Sequence, residues 1–292
     1  MWVLYLPLVI PALLSAASRP LATWLEPRHA TWVLTIAAVA LAVCSMAALA
    51  LLAAYAAARA PVLAQAGDYS QQILRRGDPV SVATGIAAAL ALTCAGGAIV
   101  VMFQRRVRSL IESYRLAARM RAEDGIVVVP EAAIEAYALP GLPGRIVMSD
   151  GLLSRLDDRG RAVLIAHETA HLSGRHHLFT SVARLAAAAN PLLIPTVSAI
   201  DYTVERWADE RAAAVTRDRK LVATTIGRVA LLSRNRRPRG IQIALSILGR
   251  AYDRSSLIWA GPVPRRVAAM LGAPPQRRTT LVLICGAIVM IA

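Results

Sequence analysis

The sequence predicts a mainly α-helical membrane protein in which N-terminal transmembrane helices precede an α+β domain with a small β-sheet. Hydrophobic residues make up 57% of the 292-residue chain, and the mean hydropathy is +0.51. Soluble domains average nearer ~45–50% apolar. The excess lies in long uninterrupted runs, which favours a bilayer over a soluble core. Short runs rich in valine and isoleucine follow between turn residues, as strands do.

The apolar runs near the N-terminus are long enough to cross a bilayer. We predict transmembrane helices at about 1–17, 31–57 and 80–103. The first lacks the basic residues that open a secretory signal peptide, so we expect it to be retained. The last run, 279–292, is shorter than the ~17–25 residues that a crossing helix needs. We predict a short C-terminal transmembrane segment there, and a separate domain over 104–278.

The charge pattern predicts how the chain is oriented. The net charge is +15, nearly all of it from arginine. Arg105, Arg106 and Arg108 directly follow the third apolar run, and basic residues at the end of a span favour the cytoplasmic side. We therefore expect the domain over 104–278 to be cytoplasmic. The arginines flank apolar runs without a nucleic-acid module or interleaved aromatic residues, so lipid, not nucleic acid, is the predicted partner.

Within the domain, hydrophobic periodicity predicts a basic amphipathic helix over 105–121 and strand-like runs at 125–129, 136–139 and 145–148. The residues Pro140–Gly144 have turn chemistry, so the last two runs are predicted to form a hairpin. The segment 178–200 is interrupted by Asn190-Pro191. We expect it to be a helix packed on the domain or lying against the bilayer.

One motif dominates the domain: His167-Glu168-x-x-His171. On a helix the two histidines lie one turn apart and point the same way, so they can bind one zinc ion. Glu168 then lies where it can take a proton from a water at the metal. The predicted helix begins at Asp157 or Asp158 and ends at Gly174.

A catalytic zinc site uses three protein ligands and leaves one position open, so a third ligand is needed. We predict that Asp201 caps a helix over 202–215, which places Glu205 and Asp209 one turn apart on one face. Glu205 is the predicted third ligand, and Asp209 is predicted to accept the second N–H of a zinc-bound histidine. The alternatives are His176 and His177.

The order of these motifs resembles a known family. The run Ala136-Tyr-Ala-Leu-Pro-Gly-x-Pro-Gly-Arg-Ile-Val-Met-Ser, the His-Glu-x-x-His motif, Asn190-Pro-Leu and Glu205-x-x-Ala-Asp resemble the BlaR/MecR-type integral-membrane metallopeptidases, which are gluzincins. The resemblance implies a gluzincin-type fold, a bacterial cell membrane location and cleavage of a protein substrate at the cytoplasmic face. By analogy, that substrate is a transcriptional repressor or another regulatory protein.

The sequence also departs from that family. Its antibiotic-sensing members carry an extracellular penicillin-binding domain with a Ser-x-x-Lys motif, whereas Lys220 is the only lysine here and has Arg217 three positions before it. We therefore expect any signal to arrive through the membrane helices, an outer loop or a partner.

Three further expectations depend on the motif. One alternative is a quality-control protease like the HtpX and CAAX-prenyl-protease group, which shares the histidine motif. Another is a signalling protein with a structural zinc site, for which His176 would be the fourth ligand. If the protein is a protease, we expect an extended substrate to pair with an edge strand near the motif, 145–148.

Overall fold

The computed structural model describes residues 5–58, 81–132, 134–234 and 263–275. The predicted C-terminal segment 279–292 lies outside these residues.

Within the described residues, three helices have the length and apolar composition needed to cross a membrane: α1 (Leu6–Trp24), α2 (Pro27–Ala57) and α3 (Val82–Arg119). The first extends further along the chain than the predicted 1–17. The third continues without a break past Phe103, so the basic stretch 105–121 is its continuation and not a separate amphipathic helix. The reason is local: no glycine or proline lies between Phe103 and Arg119 to end the helix.

The strands form one three-stranded sheet: β1 (Ile126–Val129), β2 (Ala136–Leu139) and β3 (Arg145–Ser149). β2 and β3 pair antiparallel, which confirms the predicted hairpin, and β1 pairs parallel with β3. The strand order is β1-β3-β2. β3 is therefore the central strand. The expectation that 145–148 offers a free edge is wrong, because both sides of β3 are already paired.

Helices pack on both faces of the sheet. Alternate residues of β3 face opposite sides: Ile146 and Met148 pack with Leu164, whereas Val147 packs with Ala117 of α3. The sheet is thus held between α3 and the helix that carries the histidine motif. The described helices that follow β3 along the chain are α4 (Asp150–Leu153), α5 (Asp158–Ser173), α6 (His176–Ala189), α7 (Ile194–Thr216), α8 (Arg219–Arg234) and α9 (Val263–Leu271).

The segment 178–200 is a helical hairpin that packs among the three apolar helices. Its halves, α6 and α7, are joined by a 3-10 turn, Pro191–Leu193. At the tip, the Asn190 amide donates to the Ser45 hydroxyl of α2 at 2.9 Å. Ser45 lies roughly 27 Å along α2 from Pro27 at 1.5 Å per residue. The tip therefore reaches deep between the apolar helices.

Small and polar residues make this close packing possible. Ala38 and Ala42 of α2 are buried against Ala186 and Ala189 of α6. Nearer the motif, the Thr31 hydroxyl of α2 donates to the Thr203 hydroxyl of α7 at 2.9 Å. α2 is thus joined to α7 two residues before Glu205.

The prediction that Asp201 caps a helix is wrong. α7 begins at Ile194, with Pro195 in its first turn, and Asp201 lies inside it. Proline at the first turn favours this earlier start, because its missing N–H would have no partner there anyway. Asp201 instead accepts from Arg184 of α6, with Nη2 and Oδ2 3.2 Å apart.

Candidate metal centre

The histidine motif lies on α5, whose ends are fixed by the residues predicted for them. The Asp157 side chain accepts a hydrogen bond from the Gly160 backbone N–H at 2.9 Å, which caps the start of the helix. Gly174 follows the last helical residue. His167 and Glu168 are buried, with exposed fractions of 3% and 1%. The motif therefore faces the interior of the domain and not solvent.

Three predicted residues converge at one point. His167, His171 and Glu205 form a cluster whose potential ligand atoms all lie within 4.8 Å of one another. The two Nε2 atoms are 3.1 Å apart. The Glu205 carboxylate lies 3.6 Å from His167 Nε2 and 3.5 Å from His171 Nε2. α7, which packs along α5, supplies the carboxylate from a distant part of the chain.

The two distances from Glu205 fit a bound cation, and the 3.1 Å between the two Nε2 atoms is slightly shorter than such a cation would set. Nitrogen and oxygen ligands at 2.0–2.2 Å from a tetrahedral zinc ion lie about 3.3–3.6 Å from each other. The two histidines differ in their electrostatics. Burial alone would lower the pKa of His167, but its hydrogen bonds to Asp209 and Glu205 raise that pKa to about 10. Burial and the neighbouring His167 instead hold the pKa of His171 well below its usual range.

Asp209 lies behind His167, on the side of its Nδ1 atom. Its Oδ1 is 3.1 Å from His167 Nδ1, so Asp209 can accept the Nδ1–H and leave Nε2 free for a metal. Asp209 is fully buried. Burial alone would raise the pKa of this carboxyl, but Arg266 and His167 hold it well below its usual range. Asp209 is therefore ionised next to the histidine.

Arg266 is the site residue that sequence reasoning missed. It belongs to α9 and is 1% exposed. Its Nη1 lies 2.8 Å from Glu205 Oε2, and its Nη2 and Nε lie 2.6 and 2.8 Å from the two oxygens of Asp209. Helical spacing in the sequence does indicate that Arg266 is buried. Val263, Val267 and Met270 pack in the same core, and Arg266 lies on the same face of the helix.

Glu168 lies beside the cluster with one free oxygen. Oε1 is buried and has no hydrogen-bond partner among the described residues. Burial is the main reason that the pKa of Glu168 is raised to about 7, and Glu205 raises it further. His167, a hydrogen bond from the Ala138 backbone and Arg266 act in the opposite direction. A carboxyl with a pKa near neutrality is suited to taking up and releasing a proton.

His176 does not lie where a fourth ligand would. Its Nδ1 is 3.0 Å from the Nδ1 of His171, which is the nitrogen that does not face His167 and Glu205. It therefore lies behind His171. Neither His176 nor His177 belongs to the cluster of potential ligands in the described ranges.

Comparison with known proteins identifies the family. No curated protein and no solved structure matches the chain. The profile of peptidase family M48 matches residues 102–271, which is more than half of the chain. This match supports a membrane metallopeptidase family, but it does not confirm the BlaR/MecR-type resemblance. We conclude that the chain belongs to peptidase family M48, a family of metal-dependent peptidases.

Proposed function

We propose that the protein is a zinc endopeptidase with His167, His171 and Glu205 as metal ligands and Glu168 as the general base. The observation that carries this proposal is the convergence of three ligand atoms beside a buried carboxylate oxygen without a partner. Two imidazoles and one carboxylate are a typical donor set of catalytic zinc. Zinc is favoured over magnesium or calcium because those ions prefer oxygen ligands.

The chain's own residues have separate tasks in the proposed reaction. When bound, the metal would supply Lewis-acid chemistry, which polarises a carbonyl and acidifies water. Glu168 Oε1 would accept the proton of the attacking water and then donate it to the leaving amine. Asp209 would keep His167 in the tautomer with Nε2 free. Arg266 would hold Asp209 in place through two charge-assisted hydrogen bonds and Glu205 through an ion pair.

The sheet suggests how a peptide would be bound. β2 is an edge strand, and its residue Ala138 hydrogen-bonds to Glu168. An extended peptide that added to this edge would pass the proposed base. The substrate peptide would therefore pair with β2 and not with β3.

The substrate can be a soluble regulator or a membrane protein. The resemblance to BlaR/MecR-type proteins favours a transcriptional repressor. One structural observation favours membrane proteins, as for the HtpX-like alternative. The hairpin of α6 and α7 packs among the apolar helices and leads directly to Glu205, with the Thr31–Thr203 contact just before it. The proposed metal centre would then lie near the surface of the bilayer, at its cytoplasmic face in our proposal.

The test is substitution of the proposed base. Glu168→Gln in the full chain should bind zinc as the parent does and lose peptidase activity, because an amide cannot accept the proton. Glu112→Gln, on α3 and away from the motif, is the control and should cleave normally. Cleavage by Glu168→Gln at the parental rate would contradict the proposed role.

The same inactive variant distinguishes the two substrate classes. Because the Glu168→Gln variant cannot complete cleavage, it should retain its bound substrates. These substrates can be crosslinked to it in native membranes and identified. One dominant soluble target would support a regulatory protease. Many membrane-inserted targets would support quality control.

A further inference from the structure

His176 lies directly behind one of the proposed metal ligands, and the proposed catalysis does not use it. It is the first residue of α6 and is 1% exposed. Its ring meets the His171 ring edge-on, with ring centroids 4.8 Å apart and the two Nδ1 atoms 3.0 Å apart. This is hydrogen-bond distance, so one of the two nitrogens must donate and the other must accept.

The direction of that hydrogen bond follows from the position of His171. Its Nε2 faces His167 and Glu205, where the metal is proposed. A neutral imidazole that binds a metal through Nε2 carries its proton on Nδ1. The Nδ1–H of His171 would therefore donate, and His176 Nδ1 would accept. The proton of His176 would then lie on its own Nε2.

The surroundings hold the His176 ring in this position. The ring packs against the ring of Trp207, with centroids 4.5 Å apart. A side chain at Gly174 would have its Cβ only 2.4 Å from His176 Nε2. The ring thus occupies space that the absent side chain leaves free.

A histidine at position 176 carries an energetic disadvantage, because its Nε2 atom is buried. Among the described residues it has no hydrogen-bond partner. Burying a polar nitrogen without a partner is unfavourable, and a phenyl ring would fill a similar space without one. The contribution that histidine adds over a phenyl ring is the acceptor at Nδ1, and that acceptor faces His171.

We propose that His176 is a positioning residue that keeps His171 in the Nδ1–H tautomer with its Nε2 turned toward the metal. The inference rests on the metal centre proposed above, but not on the identity of the substrate. His176 thus has the same relation to His171 that Asp209 has to His167. Each proposed histidine ligand would be oriented by a buried acceptor on its Nδ1 side.

The test compares variants of the full detergent-solubilised chain. His176→Phe keeps an aromatic ring but removes the acceptor, whereas His176→Asn places an acceptor oxygen where Nδ1 was. Zinc affinity is measured by competition with a chromogenic chelator, and Co²⁺ absorption reports ligand geometry. Loss of an outer hydrogen-bond partner lowers metal affinity about 10–100-fold. We expect that loss in His176→Phe, partial recovery in His176→Asn and no change in the control His177→Phe.

The results separate this inference from a general structural role. Parental zinc affinity and an unchanged Co²⁺ spectrum in His176→Phe would overturn it. Equal losses in His176→Phe and His176→Asn would also overturn it, because an acceptor restored at this position would then recover no zinc affinity. If the parent binds zinc but cleaves no protein, the peptidase proposal fails while the affinities still decide the role of His176.

The tautomers of His171 and His176 can also be measured by NMR in the unsubstituted protein, so this test does not depend on the folding of a variant. In zinc-loaded protein with ¹⁵N-labelled histidine, we expect a protonated Nδ1 on His171 and a protonated Nε2 on His176. A protonated Nδ1 on His176 would contradict the proposal.

Discussion

Arg266 Nη1 lies 2.8 Å from Glu205 Oε2, and the same guanidinium also contacts both oxygens of Asp209. All three side chains are buried. α9 thus places one positive charge between a pair of carboxylates on α7, and both carboxylates face His167. The consequence is that the proposed ligand geometry depends on a helix far along the chain from the histidine motif.

Removing the Arg266 charge should destabilise the fold and the site together. Breaking a buried ion pair from one side costs about 3–5 kcal/mol, so Arg266→Met should lower the free energy of unfolding by roughly that amount. Arg266→Lys keeps the charge but loses the two-pronged geometry, so its effect should be intermediate. Denaturant unfolding of the solubilised chain measures both. Arg228→Met, at an exposed position of α8, is the control, and a similar loss there would contradict the explanation.

Asp209→Asn should weaken metal binding without removing a proposed ligand. An amide oxygen accepts the Nδ1–H of His167 less strongly than a carboxylate, and the amide can also rotate to present a donor. We expect zinc affinity to fall about 10–100-fold, as measured by chelator competition. Glu210→Gln is the matched control, because Glu210 contacts Arg206 and Arg219 and not a histidine. Unchanged affinity in Asp209→Asn would contradict its proposed role.

Activity should decrease as the pH falls below neutrality. The pKa of Glu168 is raised to about 7, chiefly by burial, and only the ionised carboxylate can accept a proton. Below this pKa, kcat/KM should fall about tenfold per pH unit. A bound cation favours the carboxylate, so the acid limb should lie at or below pH 7. Metal content must be measured at each pH, and a rate that rises on acidification would contradict Glu168 as the base.

Sequence reasoning succeeded where local chemistry decides the structure. Asp157 and Gly174 bound α5 as their capping preferences predict, and Glu205 and Asp209 follow helical spacing. It failed where long-range packing decides. The apolar register of α9 points to the burial of Arg266, but neither its pairing with Asp209 nor the insertion of the α6–α7 hairpin follows from local patterns, because each depends on partners from distant segments.

Gly174→Ala should disturb the site although residue 174 contributes no side chain to it. The new Cβ would lie 2.4 Å from His176 Nε2 and 2.9 Å from the Ala170 carbonyl oxygen, so the His176 ring must move. Overpacking of this kind costs about 1–3 kcal/mol, and zinc affinity should fall with it. Gly227→Ala is the control on α8, where a Cβ meets nothing within 4 Å. Relief of glycine's backbone entropy should stabilise that variant by about 0.4–1 kcal/mol. Thermal unfolding and chelator competition measure the two effects, and equal behaviour of the two alanine variants would show that His176 does not depend on the space at residue 174.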